Sequence, residues 1–335
     1  MTRRPPLALG GAFPPGEPAD RLGFARWLVK PGHPLTARVH VNRIWQMLFG
    51  TGLVATPENF GQQADWPSHP ALLDWLAREL IDGGWDQKAL IRRIVTSSVY
   101  RQCATPSAES LDVDPANRLL SWFPRQRLAG EFVRDVALAS SGLLVDRVGG
   151  PSVRPYQPEG LWREVSIGGS SNTQIFVRDD GDALFRRSLY PFWKRTSPSP
   201  QMAMFDAPTR EFCVVRRSTT NTPLQALVLW NDEQFVEAAR ALAQRTLHAA
   251  DDTGARIRRL FRLATGAPPD ARQEAILRRT LAGFVERYCD APADATALLA
   301  VGETMPALDL EPSELAAWTM LGTTVLNLDA TIVRD

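Results

Sequence analysis

What most constrains this chain is a change of period along it. In two long stretches apolar residues recur every three or four positions, the spacing of a helix that buries one face. Between them, over residues 149–221, that period is lost. In the first stretch Val41, Ile44, Trp45 and Leu48 share a face, and Gly50 stands where a left-handed cap would end a helix over 35–49. "SHPALLDWLAREL" predicts a second helix, with Pro70 in its first turn, Leu72, Leu73, Leu76 and Leu80 inward, and Gly83-Gly84 as its stop. Asp86 can cap a third helix carrying Leu90, Ile91, Ile94 and Val95. A fourth, from about Gln126 to Leu144, would turn Leu128, Phe132 and Val136 inward.

The helical period returns at Thr222 and continues through "NDEQFVEAARALAQRTL", "ARIRRLFRLATG", "DARQEAILRRTLAGFVERY" and "SELAAWTMLGTTVLNLD". Asn231 and Asp270 each precede a glutamine by three positions, the spacing of a reciprocal cap. In the middle, glycine, proline and short runs such as "SLYPFWKR" and "EFCVVRRS" predict irregular chain with little strand, and Pro191 cannot donate to a sheet ladder. The expected fold is therefore mainly α. Residues 1–20 read as a linker or truncated start, 21–148 as an N-terminal helical unit, 149–221 as the irregular basic and aromatic region, and 222–335 as a C-terminal helical bundle. The two helical parts could share one core.

The chain has 335 residues, enough for two or three core-forming units. No stretch approaches the roughly 18 to 20 apolar residues of a membrane helix, and the start lacks the core of a secretory signal. The formal charge of +1 argues against nucleic acid as a partner. Local charge says more: between Ala183 and Gln225 seven basic residues face two acidic ones, a net of +5. Arg187, Lys194, Arg195, Arg216 and Arg217 from this stretch are the candidate anion-binding residues, and Trp193 is an aromatic candidate beside them. Tyr156, Trp162, Tyr190 and Phe192 fall in similar loop-like runs, where aromatics pack a core or line a sugar-binding cleft.

"RRSTTNTPLQAL" divides at Asn221. Thr222, Pro223 and Gln225 predict a capping box with proline at the first helical position. Capping does not require Arg216 and Arg217. In "RLAGEFVRD", Arg127, Glu131, Arg134 and Asp135 recur at helical spacing, which suits a salt-bridge network. Glu131, Asp135 and Asp206 are the weak candidates for acid or base chemistry. Arg38 and Asn42, four apart on one helical face, are further polar candidates. His33 and His69 each precede a proline near a helix start and suit capping or packing; with His40 and His248 they show no His-x-x-x-His spacing, and no metal site is expected. Cys103, Cys213 and Cys289 lie far apart, leaving one disulfide open. No cofactor is expected in this chain, since it has no Cys-x-x-Cys-His haem attachment motif, and it has no Gly-x-Ser-x-Gly elbow.

Four segments together resemble one family. They are "RLGFARWLVKPGHPLTARVHVNRIWQMLFGTGLVATPENFG", "PSHPALLDWLARELIDGGWDQKALIRRIVTSSVYRQ", "RRSLYPFWKRTSPSPQMAMFDAPTREFCVVRRSTTNTPLQALVLWND" and "AAWTMLGTTVLNLDATIVRD". The family is domain of unknown function 1553, the C-terminal domain of large planctomycete-type proteins. The resemblance implies export to the periplasm or cell surface, and a cytochrome c type or second uncharacterised domain upstream as partner. It implies no reaction. Two classes of function follow: a binding or scaffolding module that recognises an anionic polysaccharide or docks a partner domain, and a glycan-active hydrolase or lyase using the carboxylates and arginines. A third reading, part of a haem-linked oxidoreductase, needs a partner domain.

Overall fold

The computed structural model describes residues 3–165 and 174–334. Among these are fifteen α-helices and a single two-stranded ladder, β1 (Gln126–Arg127) with β2 (Val333–Arg334), so the chain is mainly α-helical. The described residues form two compact units, divided between Gln126 and Arg127. The division thus falls some twenty residues before the one suggested by the sequence, because the helix that begins at Gly130 buries its face among the later helices.

The first unit holds α1 (Arg21–Leu28), α2 (Thr36–Phe49), α3 (Pro70–Asp82), α4 (Gln87–Val95) and α5 (Ala108–Val113). Asp20 caps α1 by accepting from Gly23 N at 2.9 Å, and Asp86 caps α4 through Ala89 N at 3.0 Å. The apolar stripes of α2, α3 and α4 meet in one core with Leu53, Val54 and Phe123. Trp45 and Phe49 stack there at 4.2 Å. His33 starts α2: its Nδ1 accepts from Leu35 N at 3.2 Å and Thr36 N at 3.1 Å, while its ring meets buried Trp27 edge-on at 4.6 Å.

The second unit contains α6 (Gly130–Ser141), α7 (Leu161–Glu164), α8 (Pro200–Met204), α9 (Pro223–Asn231), α10 (Glu233–Leu247), α11 (Thr253–Thr265), α12 (Ala271–Asp290), α13 (Pro292–Leu299), α14 (Pro312–Leu326) and α15 (Asp329–Ile332). Its centre is the packing of α10 on α14, with α6, α9, α11, α12 and α13 around them. Small residues let the two backbones close. A Cβ at Gly322 would lie 3.0 Å from Ala239 O, so the pair Ala239 and Gly322 sets how near the helices come. Asp270 and Gln273 cap α12 reciprocally.

Three local expectations are corrected. In α6 the buried face is Val133, Arg134, Ala137 and Leu138, whereas Phe132 is 56% exposed. The N-cap of α10 is Asp232, which accepts from Gln234 N at 3.0 Å; Asn231 instead ends α9. Thr222 holds the cap position of α9 with Pro223 after it, yet no side-chain cap forms. The Gln225 amide is drawn away to donate to Met204 O at 2.8 Å and Thr220 Oγ1 at 3.1 Å.

Candidate functional site

Among the described residues of 142–165 and 174–222 there is little secondary structure to satisfy the main chain, and buried arginines take up part of that role. Arg134, on the inner face of α6, donates to Gln234 Oε1 (2.5 Å), Leu184 O (2.7 Å), Arg186 O (2.8 Å) and Ser188 Oγ (3.1 Å). Burial pushes its pKa down to about 10, partly offset by Asp135 and Asp232. Arg186 is itself fully buried. It donates to the carbonyls of Arg147, Gly149 and Pro151 at 2.7, 2.6 and 3.1 Å, and its guanidinium lies 3.7 Å from the Tyr190 ring centre. A third buried arginine, Arg240, donates to Leu299 O, Val301 O and Thr304 O, beside Glu237, which accepts from Thr304 N at 2.6 Å and the Tyr156 hydroxyl at 2.9 Å. Burial, then Glu237, raise the Tyr156 pKa.

These ties fix where the segment leaves for the surface. Arg187, one residue beyond the buried Arg186, is exposed and lies 3.9 Å from Asp146. Lys194 sits 4.5 Å from the Trp162 ring centre. Trp193 donates from Nε1 to Thr209 O at 2.9 Å and carries the Arg210 guanidinium 4.6 Å from its ring centre. Arg195 is exposed, and among the described residues it has no hydrogen bond or ion pair. The same holds for Arg216. Every residue from 209 to 224 is exposed.

The three candidate carboxylates are engaged by the protein itself. Glu131 accepts from Arg217 at 2.7 Å. Asp135 accepts from Ser188 N at 2.7 Å, and Asp206 accepts from Thr220 N at 2.7 Å and Thr220 Oγ1 at 2.8 Å. Asp206 does this from a positive φ of 60°. The expected helical network of Arg127, Glu131, Arg134 and Asp135 is thus redistributed. Arg127 precedes the helix and donates to Asn221 Oδ1 at 3.2 Å, Glu131 holds Arg217, and Arg134 points inward.

Arg38 and Asn42 lie in the first unit. Arg38 donates from Nε to Asp74 and from Nη1 to Pro34 O, both at 2.6 Å. Asn42 is fully buried and grips both main-chain groups of Val54, donating to O at 3.0 Å and accepting from N at 2.8 Å. Its side chain lies against Gly52, where a Cβ would come within 2.5 Å. His69 meets Ser68 at 3.0 Å and His248 meets Asp309 at 2.9 Å. The cysteines Cys103, Cys213 and Cys289 are exposed and are not joined in disulfides.

The family model described as Protein of unknown function (DUF1553) matches residues 20–281. The chain belongs to this family. No curated protein and no solved structure matches it. In this DUF1553 chain the matched span takes in the whole first unit from Asp20, the irregular region and the helices up to the first half of α12. The closing segment "AAWTMLGTTVLNLDATIVRD", which carries α14 from Ala316 onward, lies beyond it.

Among the described residues no helix is long and apolar enough to cross a membrane, and no group of three His, Cys, Asp or Glu residues could hold a metal ion. Of the polar residues that build the site's frame, Arg134 reads in the sequence only as a member of a salt-bridge network on one helical face and Gln234 only as a capping residue, while Arg186 and Asp232 belong to no motif. For Arg134 a signal existed: it falls in register with Val133, Ala137 and Leu138, a cation placed within an apolar stripe.

Proposed function

We propose that this DUF1553 chain is a binding or scaffolding module whose ligand is an anionic glycan, held on the surface formed by residues 192–195 and Arg210. The observation that carries the reading is Arg195. It is exposed, it has no polar partner among the described residues, and it stands two positions from Trp193, over which Arg210 is stacked. A guanidinium offers a planar fork to a carboxylate or sulfate, and an aromatic face offers an apolar surface to a sugar ring. Lys194 on Trp162 and exposed Arg187 extend the positive charge along the same segment. Such a ligand accords with the periplasmic or cell-surface setting implied by the resemblance.

The test is affinity electrophoresis and calorimetry with chondroitin sulfate and polygalacturonate, with neutral dextran as control. Binding should be evident at about 0.02 M salt and fall severalfold by about 0.3 M, as screening of exposed charges requires. Arg195→Ala with Arg210→Ala should weaken it severalfold without changing the melting temperature. Absence of salt-sensitive binding to both acidic polymers by the unmodified protein would overturn the reading.

A further inference from the structure

The outward face of α12 carries charges that its own helix does not satisfy. Leu277, Leu281 and Tyr288 turn inward, while Arg272, Ala275, Arg279, Ala282, Glu286 and Asp290 are exposed on the other side. Along a helix a side chain meets those three and four positions away. For Arg279 these are Ala275, Ile276, Ala282 and Gly283, and for Glu286 they are Ala282, Gly283, Cys289 and Asp290, so neither has an opposite charge in reach on α12. Among the described residues the side chains of Arg272, Arg279, Glu286 and Asp290 have no hydrogen bond or ion pair, in contrast to Glu274, which holds Arg258 and Arg278 at 3.1 and 2.7 Å.

Two further features of this face are unfavourable in the chain alone. A helix is partly positive at its N-terminal end and partly negative at its C-terminal end, yet Arg272 stands at the second position of α12 and Asp290 at the last. Gly283 weakens the helix interior, and no atom of the described residues lies within 4 Å of where a Cβ there would stand. Nothing within the chain calls for glycine at that position.

We infer that α12 packs antiparallel on α12 of a second copy, about a twofold axis between Ala282 and Gly283. Ala282 then faces the partner's Gly283, and Arg279 faces the partner's Glu286. Ala275 faces the partner's Asp290, with Arg272 three residues away, about 4.5 Å along the helix. Twofold symmetry makes each pair occur twice. Small residues at the crossing let the two backbones approach closely, which gives Gly283 its reason. The basic first half of each helix lies along the acidic second half of the other, so the charges that oppose the helix dipole in one copy are offset by the next.

The charge order selects this occupant. Read backwards, the row from Arg272 to Asp290 is its own electrostatic complement. A parallel pairing would instead set Arg279 against the partner's Arg279 and Glu286 against the partner's Glu286. One helix pair about 30 Å long buries less than a standard interface, so the association is weak and needs high protein concentration. The residues involved differ from Arg187, Lys194, Arg195 and Arg210, so this inference stands or falls separately from the glycan reading.

The test is sedimentation equilibrium on the full chain at concentrations up to about 200 µM, with circular dichroism confirming retained helix in every variant. The expected result is a monomer–dimer equilibrium. Arg279→Glu alone and Glu286→Arg alone each turn two opposite-charge pairs into two like-charge pairs and should weaken association about tenfold or more. The double variant Arg279→Glu with Glu286→Arg restores the oppositions and should recover it. A monomer at all concentrations, single variants that associate as before, or a double variant that stays monomeric while folded would each overturn the inference. A second readout uses a background with Cys103→Ser, Cys213→Ser and Cys289→Ser. Ala282→Cys places the two thiols about 1.5 Å apart along the helices and should give a covalent dimer on oxidation, whereas Ala275→Cys places them about 22 Å apart and should not. Crosslinking at both positions would mean parallel pairing and refute the arrangement.

Discussion

Replacing Arg134 by methionine tests whether the irregular region is held by buried guanidinium groups. Methionine keeps most of the volume of the stem and removes every donor. Four contacts go, to Gln234, Leu184, Arg186 and Ser188. Two acceptors recover. Leu184 O keeps a second donor, Gln234 Nε2 at 3.0 Å, and the Ser188 hydroxyl can turn elsewhere. Gln234 Oε1 and Arg186 O are left bare in the interior, at about 1–3 kcal/mol each. Against this, the native state no longer buries a cation, and the depressed pKa of Arg134 shows that burial opposes its charge. The net expectation is a loss of about 2–4 kcal/mol. Arg134→Lys retains the charge without the fork and should lose a similar amount. Urea unfolding followed by near-ultraviolet circular dichroism measures this. A methionine variant within about 0.5 kcal/mol of the parent would mean that the four bonds merely balance the burial of the charge, and that the region is held by something else.

Other perturbations follow from the same geometry. Asn42→Ala leaves both main-chain groups of Val54 unpaired in the core and should cost the first unit about 2–4 kcal/mol in urea unfolding; a loss below about 0.5 kcal/mol would refute the clamp. Gly322→Val should destabilise the second unit by at least about 2 kcal/mol, because its branches meet Ala239 at the helix crossing, and an unchanged melting temperature would show that α10 and α14 can move apart. His33 has its pKa lowered by burial and then by Lys30, and its Nδ1 must stay unprotonated to accept from Thr36. The unfolded state therefore takes up a proton first, near pH 6.5. The associated stability is present above that pH and is lost as pH falls below it. His33→Asn keeps a capping oxygen, so the urea midpoint of the parent minus that of the variant should shrink between about pH 7 and pH 5; a difference that grows on acidification would contradict the sign.

The helices of the first unit were legible because their signals are local. Asp86 precedes its helix by one residue, Pro70 opens another, and the stripe Leu73, Leu76 and Leu80 repeats within three turns. The face of α6 was not legible. Apolar residues occupy several phases in "GEFVRDVALASS", and only carbonyls some fifty residues away decide that Arg134 turns in and Phe132 turns out. The cap expected at Thr222 failed for a related reason, since Gln225 has a better partner at Met204 O. The basic stretch was visible as net charge, but charge alone does not separate Arg186, wholly buried, from Arg187, its exposed neighbour. That difference arises from the carbonyls of residues 147–151, which no pattern within 183–225 contains.

Arg134, Arg186 and Arg240 each gather carbonyls from a short run of chain that has no ladder of its own. A segment suspended from a few such points resembles a rope on pegs. Its course is set where it is pegged, and the spans between pegs answer to few constraints from the helices beneath. Residues 193–200, which run from the bond of Phe192 N to Val153 O at 2.7 Å to the tie at Gln201, form such a span and include Trp193, Lys194 and Arg195. The surface proposed for ligand could therefore be rewritten in length and composition while the scaffold stays unchanged, provided that the arginines keep their carbonyls.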